Sequence, residues 1–147
     1  MESISELVRR ARAAQAEFEK TATQESVDAI VKALAKTIYE NAEPLAKLAA
    51  EESGMGLYED KINKNKGKAR IIWNFLKDKK SVGVISRDDR TCITEVARPM
   101  GVVAAITPCT NPIVTPMCNA MYAIKGRNAI ILAPHPRAKK VGAKVVE

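Results

Sequence analysis

The chain has 147 residues, 46% of them hydrophobic and 28% charged, and carries a net charge of +7. That length and balance suit one globular domain large enough to bury a core. No run of about 18 apolar residues is present, so a membrane span and a membrane partner are not expected.

The opening stretch Met1-Glu2-Ser3-Ile4-Ser5-Glu6 has no basic segment followed by an apolar one, which argues against secretion and for a cytoplasmic protein. Ser3 with Glu6 fits a capping box. Ile4, Leu7, Val8, Ala11, Ala14 and Phe18 then recur at helical spacing until Thr21 and Thr23 break the pattern. A second helix is predicted on Val27, Ile30, Val31, Leu34 and Ile38. A third is predicted to be capped by Asn41, to hold Pro44 in its first turn, to turn Leu45, Leu48 and Ala49 inward, and to end near Gly54 and Gly56. A fourth, over about 59–79, is expected to bury Ile62, Ala69, Ile72, Trp73 and Leu76, with Gly67 weakening its middle. All these apolar positions are expected to pack in the core.

The fourth helix is also basic. Lys61, Lys64, Lys66, Lys68, Arg70, Lys77, Lys79 and Lys80 face only Asp78. Such a stripe binds nucleic acid or a phosphorylated ligand in some proteins. A solvated helix face is the simpler reading, and no nucleic-acid module is recognisable, so no nucleic-acid partner is expected. Beyond residue 80 the periodicity changes. Ser81-Val82-Gly83-Val84-Ile85 and residues 91–97 look like strands joined by the polar connection 86–90, a hairpin. Two isolated strands are marginal, so this hairpin should pack on a partner subunit or another domain.

After Pro99 the apolar run Val102-Val103-Ala104-Ala105-Ile106 leads into Thr107-Pro108-Cys109-Thr110-Asn111-Pro112. A helix follows, then Asn128-Ala129-Ile130-Ile131-Leu132-Ala133 and Pro134-His135-Pro136-Arg137. Two buried-type strands with a crossover form a βαβ unit, and ligands of such units sit where strand ends meet helix starts. Pro112 suits the first helical position and Asn111 its cap; a ligand role for Asn111 stays open beside the capping role. Cys109 lies in the same turn, but no histidine or carboxylate is near it in sequence to act as a base. His135, between two prolines, is a rigid turn residue within reach of a ligand. The Gly-x-Gly-x-x-Gly fingerprint is absent. Cys92, Cys109 and Cys118 lack metal-type spacing and His135 is the only histidine, so reduced thiols and no metal are expected.

The segments Ser81-Val82-Gly83-Val84-Ile85-Ser86, Glu95-Val96-Ala97-Arg98-Pro99-Met100-Gly101, Gly101 to Pro112, and Arg127 to Lys140 with its Pro-His-Pro-Arg-Ala resemble the CoA-acylating aldehyde dehydrogenases. The likeness is strong over 81–140 and extends over the helical N-terminus. It implies an α/β, aldehyde dehydrogenase-like fold: N-terminal helices and a β-hairpin leading into the start of an incomplete Rossmann-like parallel sheet. Residues 1–80 would be the helical part of the cofactor domain. Residues 81–100 would be a hairpin that joins subunits of a homo-oligomer, and 101–147 the first βαβα of the NAD(P)-binding domain, with the catalytic domain absent.

The same resemblance implies the chemistry. A cysteine thiolate attacks the aldehyde, hydride passes to NAD or NADP, and the thioester is transferred to coenzyme A. None of the three cysteines here matches the family's nucleophile, so the chain alone is expected to be inactive. Thr107, Pro108, Cys109, Thr110, Asn111, Ala133, Pro134 and His135 are the implied cofactor-binding positions. Asn111 is the candidate for holding the oxyanion or orienting substrate. Non-acylating relatives carry Pro-x-Asn-x-Pro at this turn, so asparagine here stands one place late and Thr110 competes for the role. Ala133 and Pro136 stand where those relatives place the lysine and glutamate near the ribose, while Arg137, Lys139 and Lys140 could meet a 2′-phosphate. The rival from another class is a non-catalytic interaction or structural protein that retains half of this fold.

Overall fold

A computed structural model describes residues 3–147; Met1 and Glu2 of the opening stretch lie outside them. Ser3 starts α1 (Ile4–Thr21), its hydroxyl accepting the Glu6 amide at 3.2 Å. Only half of the expected box forms. The Glu6 carboxylate turns instead to Arg9, which donates to it at 3.0 Å and holds the carboxyl below its ordinary range. No residue of α1 is buried, contrary to the expectation of a core helix. It packs on the later strands at the rim of the molecule, so only Phe18 reaches the core, from its edge.

The core forms where α2 (Gln24–Glu40), α3 (Ala42–Ser53), α4 (Tyr58–Leu76) and α5 (Val114–Lys125) meet. Thr23 and Ser26 make the reciprocal capping box that starts α2, which buries Val27, Val31, Ala35 and Ile38 at four- and three-residue spacing. Asn41 does not cap α3 with its side chain. Its Nδ2 donates to the Thr37 carbonyl at 2.9 Å and so closes α2. Gly54 ends α3 at φ 64, where its amide reaches the Ala50 carbonyl. Asp28 of α2 and Lys125 of α5 form an ion pair inside the molecule, the Lys125 side chain being 6% exposed.

Helix α4 departs most from expectation. Its buried positions are Lys61, Asn65, Ala69 and Leu76; Ile62, Ile72 and Trp73 are half-buried, and Phe75 is 59% exposed with the Lys79 ammonium 4.3 Å from its ring centre. The basic stripe is therefore not one solvated face. Lys66 reaches Glu43 at 3.0 Å, Lys64 reaches Asn111, and Lys61 is buried.

The hairpin forms three residues later than expected in its first strand: β1 (Val84–Asp88) pairs antiparallel with β2 (Ile93–Val96), with a bulge between Val84 and Ser86. Asp88 sets the turn. Its carboxylate accepts the Arg90 amide at 2.9 Å and the Thr91 hydroxyl at 2.8 Å, and these bonds hold its carboxyl below the usual range. Cys92 follows at φ 55. Both strands are open to solvent: Val84 is 53%, Ile93 58% and Val96 51% exposed.

The second pair, β3 (Val102–Thr107) and β4 (Ala129–Pro134), is parallel, with α5 as the crossover, and a turn at Pro136–Ala138 leads into α6 (Lys139–Val146). The expectation of strands buried on both faces fails. Ala105 and Thr107 are buried while Ala104 and Ile106 are exposed, Ile106 at 87%, so one face of β3 is covered and the other is bare. Asn128 ties the unit to the hairpin stem. Its Oδ1 accepts the Met100 amide at 2.6 Å and the Gly101 amide at 2.9 Å, and its Nδ2 donates to the Ala123 carbonyl at 3.1 Å. Arg127, at φ 57, donates to the Ala97 carbonyl at 2.8 Å.

Candidate functional site

The two strand ends predicted to carry chemistry lie side by side, because the parallel register sets Ile106 opposite Ala133 and Thr107 opposite Pro134. Thr107 is buried and its hydroxyl donates to the Ala133 carbonyl at 3.4 Å, which joins the strand ends to each other. Pro108 and Thr110 are exposed, and the Thr110 hydroxyl has no protein partner among the described residues. Half-buried Cys109 places its sulfur 3.6 Å from that of Met55, and no histidine or carboxylate bonds it.

Asn111 is not the side-chain cap expected from its sequence. Helix α5 starts at Val114 after a turn, its cap position is Ile113, and Pro112 lies in the turn before it. Only the Asn111 backbone carbonyl serves the helix, accepting the Thr115 amide at 3.2 Å. The side chain is instead held from α4: Lys64 Nζ donates to Asn111 Oδ1 at 3.0 Å. An ammonium has no acceptor, so the atom facing it must be the amide oxygen, and the NH2 group remains as a donor without a partner among the described residues. Lys61, Lys64, Thr110 and Asn111 line one small recess at the start of α5.

At the second strand end, Ala133 and Pro134 are exposed. Gly142 of α6 lies against Pro134 so closely that a Cβ there would sit 2.5 Å from the Pro134 Cβ. The close approach leaves a crevice along Leu132, Pro134, Lys139 and Ala143 at the carboxyl end of the sheet. His135 opens the turn before α6, its Nδ1 accepting the Arg137 amide at 3.1 Å, so the ring proton sits on Nε2. Arg137 donates to the Ser53 carbonyl at 2.8 Å. The amides that begin α6 are taken as well: Glu52 accepts from Lys140 at 2.7 Å and from Val141 at 2.8 Å. Of the three cations considered for a 2′-phosphate, Arg137 is thus committed to the fold, and the helix start is capped by a carboxylate.

Sequence reasoning placed Lys61 and Lys64 only in the basic stripe and gave Glu52 and the Asn128 side chain no role. For α4 a signal was present: Lys61, Asn65 and Ala69 recur every four residues and so share a face. A charged residue in line with a core alanine marks a buried polar position. Among the described residues there is no group of three or more His, Cys, Asp or Glu placed to hold a metal, and no helix is long and apolar enough to cross a membrane.

The Aldehyde dehydrogenase family pattern matches residues 1–147. The chain is 58% identical over 145 residues to a succinate-semialdehyde dehydrogenase (acetylating) of Clostridium kluyveri, a match that covers 99% of this chain and 32% of that protein. It superposes on an acetylating aldehyde dehydrogenase from Geobacillus thermoglucosidasius with TM-score 0.90 and 43% identity, over 94% of this chain and 30% of that one. A probable aldehyde dehydrogenase from Listeria monocytogenes matches with TM-score 0.91 and 39% identity, over 95% and 31%. The chain therefore spans about a third of the length of these relatives.

Proposed function

The chain belongs to the aldehyde dehydrogenase family, and from that premise we propose that it is the N-terminal, cofactor-binding portion of a CoA-acylating enzyme. The reaction is the conversion of an aldehyde, CoA and NAD(P)+ to acyl-CoA and NAD(P)H. The observation that carries this reading is the free amide NH2 of Asn111, fixed by Lys64 at the end of β3. A donor oriented before reaction, at a strand end facing the substrate, stabilises the oxygen on which charge develops. The Clostridium and Geobacillus relatives, both acetylating dehydrogenases, support the acylating branch.

The residues present fit a dinucleotide. The crevice beside Gly142 is open, has apolar walls, and lies at the carboxyl ends of parallel strands. Ala133, Pro134 and His135 would border the nucleoside there, and residues 107–111 would border its reactive end. When bound, NAD(P) supplies the acceptor for the two electrons that the aldehyde loses. Thr107 keeps the strand ends together, Asn111 orients the carbonyl, and Thr110 offers the competing hydroxyl.

The chain also lacks an activated nucleophile. Cys92 is exposed in the hairpin turn, Cys109 lies 3.6 Å from the Met55 sulfur with no histidine or carboxylate bonded to it among the described residues, and burial pushes the Cys118 thiol up from its ordinary value. In this reading 1–80 and 101–147 belong to the cofactor domain, and the hairpin at 81–100 joins subunits. The bare face of β3 and its unpaired edge belong against further parts of the enzyme. The test is direct. The complete protein should form NAD(P)H from short aldehydes only when CoA is present, and the 147-residue chain should not. CoA-independent turnover, or none with any short aldehyde, would overturn the reading.

A further inference from the structure

Two lysines of α4 reach away from their own helix, and they meet different partners. Lys66 takes the Glu43 carboxylate at 3.0 Å, an ordinary ion pair. Lys64 meets a neutral amide, that of Asn111. The buried face of α4 puts it there. Asn65 and Ala69 are buried, and Asn65 Nδ2 donates to the Ala42 carbonyl at 3.2 Å, which fixes the rotation of α4 against the start of α3. Lys64, one residue earlier, then projects from the flank of α4 onto the turn that precedes α5.

Asn111 is thereby held at both of its oxygens. Its backbone carbonyl accepts the Thr115 amide from α5 at 3.2 Å, and its side-chain oxygen accepts from α4. The recess between them has room for about one water, so solvent is a poor substitute for the ammonium. Lys64 itself is exposed, and an exposed polar contact of this kind adds little to folding stability. Its effect lies in the amide. A cation on the oxygen draws charge out of the C–N bond, which makes the NH2 group a stronger donor. It also bars the flipped amide, in which NH2 would face the ammonium and the oxygen would point outward.

We propose that Lys64 is a positioning residue for the reaction. It acts through Asn111, holding the amide so that NH2 faces the carbonyl oxygen and polarising it for the negative charge that develops there. This rests on the reading of Asn111 as the group that orients the reacting carbonyl.

In the complete protein, kcat and KM are measured with CoA, NAD+ or NADP+, and whichever of acetaldehyde, propanal and butanal is turned over fastest. The variants are Lys64→Met, Lys64→Arg, Asn111→Ala, and Lys64→Met combined with Asn111→Ala. Lys64→Met should lower kcat about tenfold and leave KM for the aldehyde unchanged, a smaller loss than that of the donor itself. Its thermal midpoint should match the wild type. Lys64→Arg, which keeps a cationic donor, should recover most of kcat. In the double variant, Lys64→Met should slow the enzyme no further, because it no longer has an amide to hold. Wild-type kcat in Lys64→Met would overturn the proposal, as would a full additional loss in the double variant; either result leaves Asn111 in its role. A lowered thermal midpoint in Lys64→Met, with activity that Lys64→Arg does not restore, would reduce Lys64 to a structural contact. Full turnover in Asn111→Ala, or no CoA-dependent turnover by the wild type, would instead strike the parent reading and this proposal with it.

Discussion

Lys64 on α4 holds the side-chain oxygen of Asn111 at 3.0 Å across 47 positions of sequence. The bond fixes which end of the amide is free, and it separates the two roles that the sequence left open for Asn111. Since the side chain does not cap α5, Asn111→Ala should change stability by no more than about 0.5 kcal/mol, the range of ordinary surface changes. Turnover of the complete enzyme should fall about 10²-fold or more, the scale of one lost oxyanion donor. Asn111→Asp should pair with Lys64 and fold well, yet be at least as inactive, because it brings a negative charge and no donor. Thr110→Val should retain most activity. Full turnover in Asn111→Asp, measured as NAD(P)H formation, would remove Asn111 from the chemistry.

The Asp28–Lys125 pair supports α5 from below. Removing Asp28 leaves an ammonium buried without its partner, a loss of about 3–5 kcal/mol. Asp28→Ala should therefore lower the unfolding midpoint of the complete protein sharply, and Lys125→Met in the same chain should restore much of it. Simple addition of the two single losses would show that the residues do not act as a pair.

Two glycines in helices should respond with opposite signs. A Cβ on Gly67 meets nothing within 4 Å, so Gly67→Ala should stabilise by about 1 kcal/mol through the unfolded chain and helix propensity. A Cβ on Gly142 would collide with the rigid Pro134 ring at 2.5 Å. Gly142→Ala should cost about 1–3 kcal/mol and push α6 from the end of β4, weakening dinucleotide binding in the complete enzyme. Denaturant melts and cofactor titrations check both.

Much of this architecture was legible beforehand, for identifiable reasons. Periodic apolar residues with Ser3, Thr23 and Gly54 at their ends announce α1–α3, and the two apolar runs with a crossover announce the parallel pair. What stayed hidden depends on neighbours rather than on local pattern. Pro112 after Asn111 fits a cap and also fits a turn that precedes the helix; only the docking of α4 makes it the latter. Lysines on α4 look alike in sequence, and whether one is solvated, paired or buried depends on what packs over each face. Ile106 reads as core, and its outer face is bare within these residues.

The cysteines should differ in reactivity. Cys92 is exposed at the hairpin turn, while burial raises the pKa of Cys118 despite the opposing charge of Lys68. Near neutral pH, alkylation followed by mass spectrometry should therefore label Cys92 well before Cys118. The shift also has a sign for stability. The folded form keeps the Cys118 proton to higher pH than the unfolded chain does, so this contribution is present below the ordinary thiol value and is lost as pH rises through the raised one. Faster labelling of Cys118 than Cys92 would show that α5 opens readily.

The hairpin supplies the last prediction. Val84, Ile93 and Val96 are each more than half exposed, on a two-stranded unit too small to be stable alone. Its stem is anchored on both arms, by Gln24 Oε1 accepting the Ser81 and Val82 amides and by Asn128 at Met100 and Gly101 with Arg127 at the Ala97 carbonyl, while the strands beyond it carry exposed apolar side chains. A second copy of the chain that covers those side chains would account for their exposure. Ile93→Asp combined with Val96→Lys should leave the fold of each subunit intact, because neither side chain touches the core. The complete protein should then sediment as a smaller species than the wild type. An unchanged oligomer would place the subunit contact elsewhere and leave the hairpin's apolar residues to another part of the same enzyme.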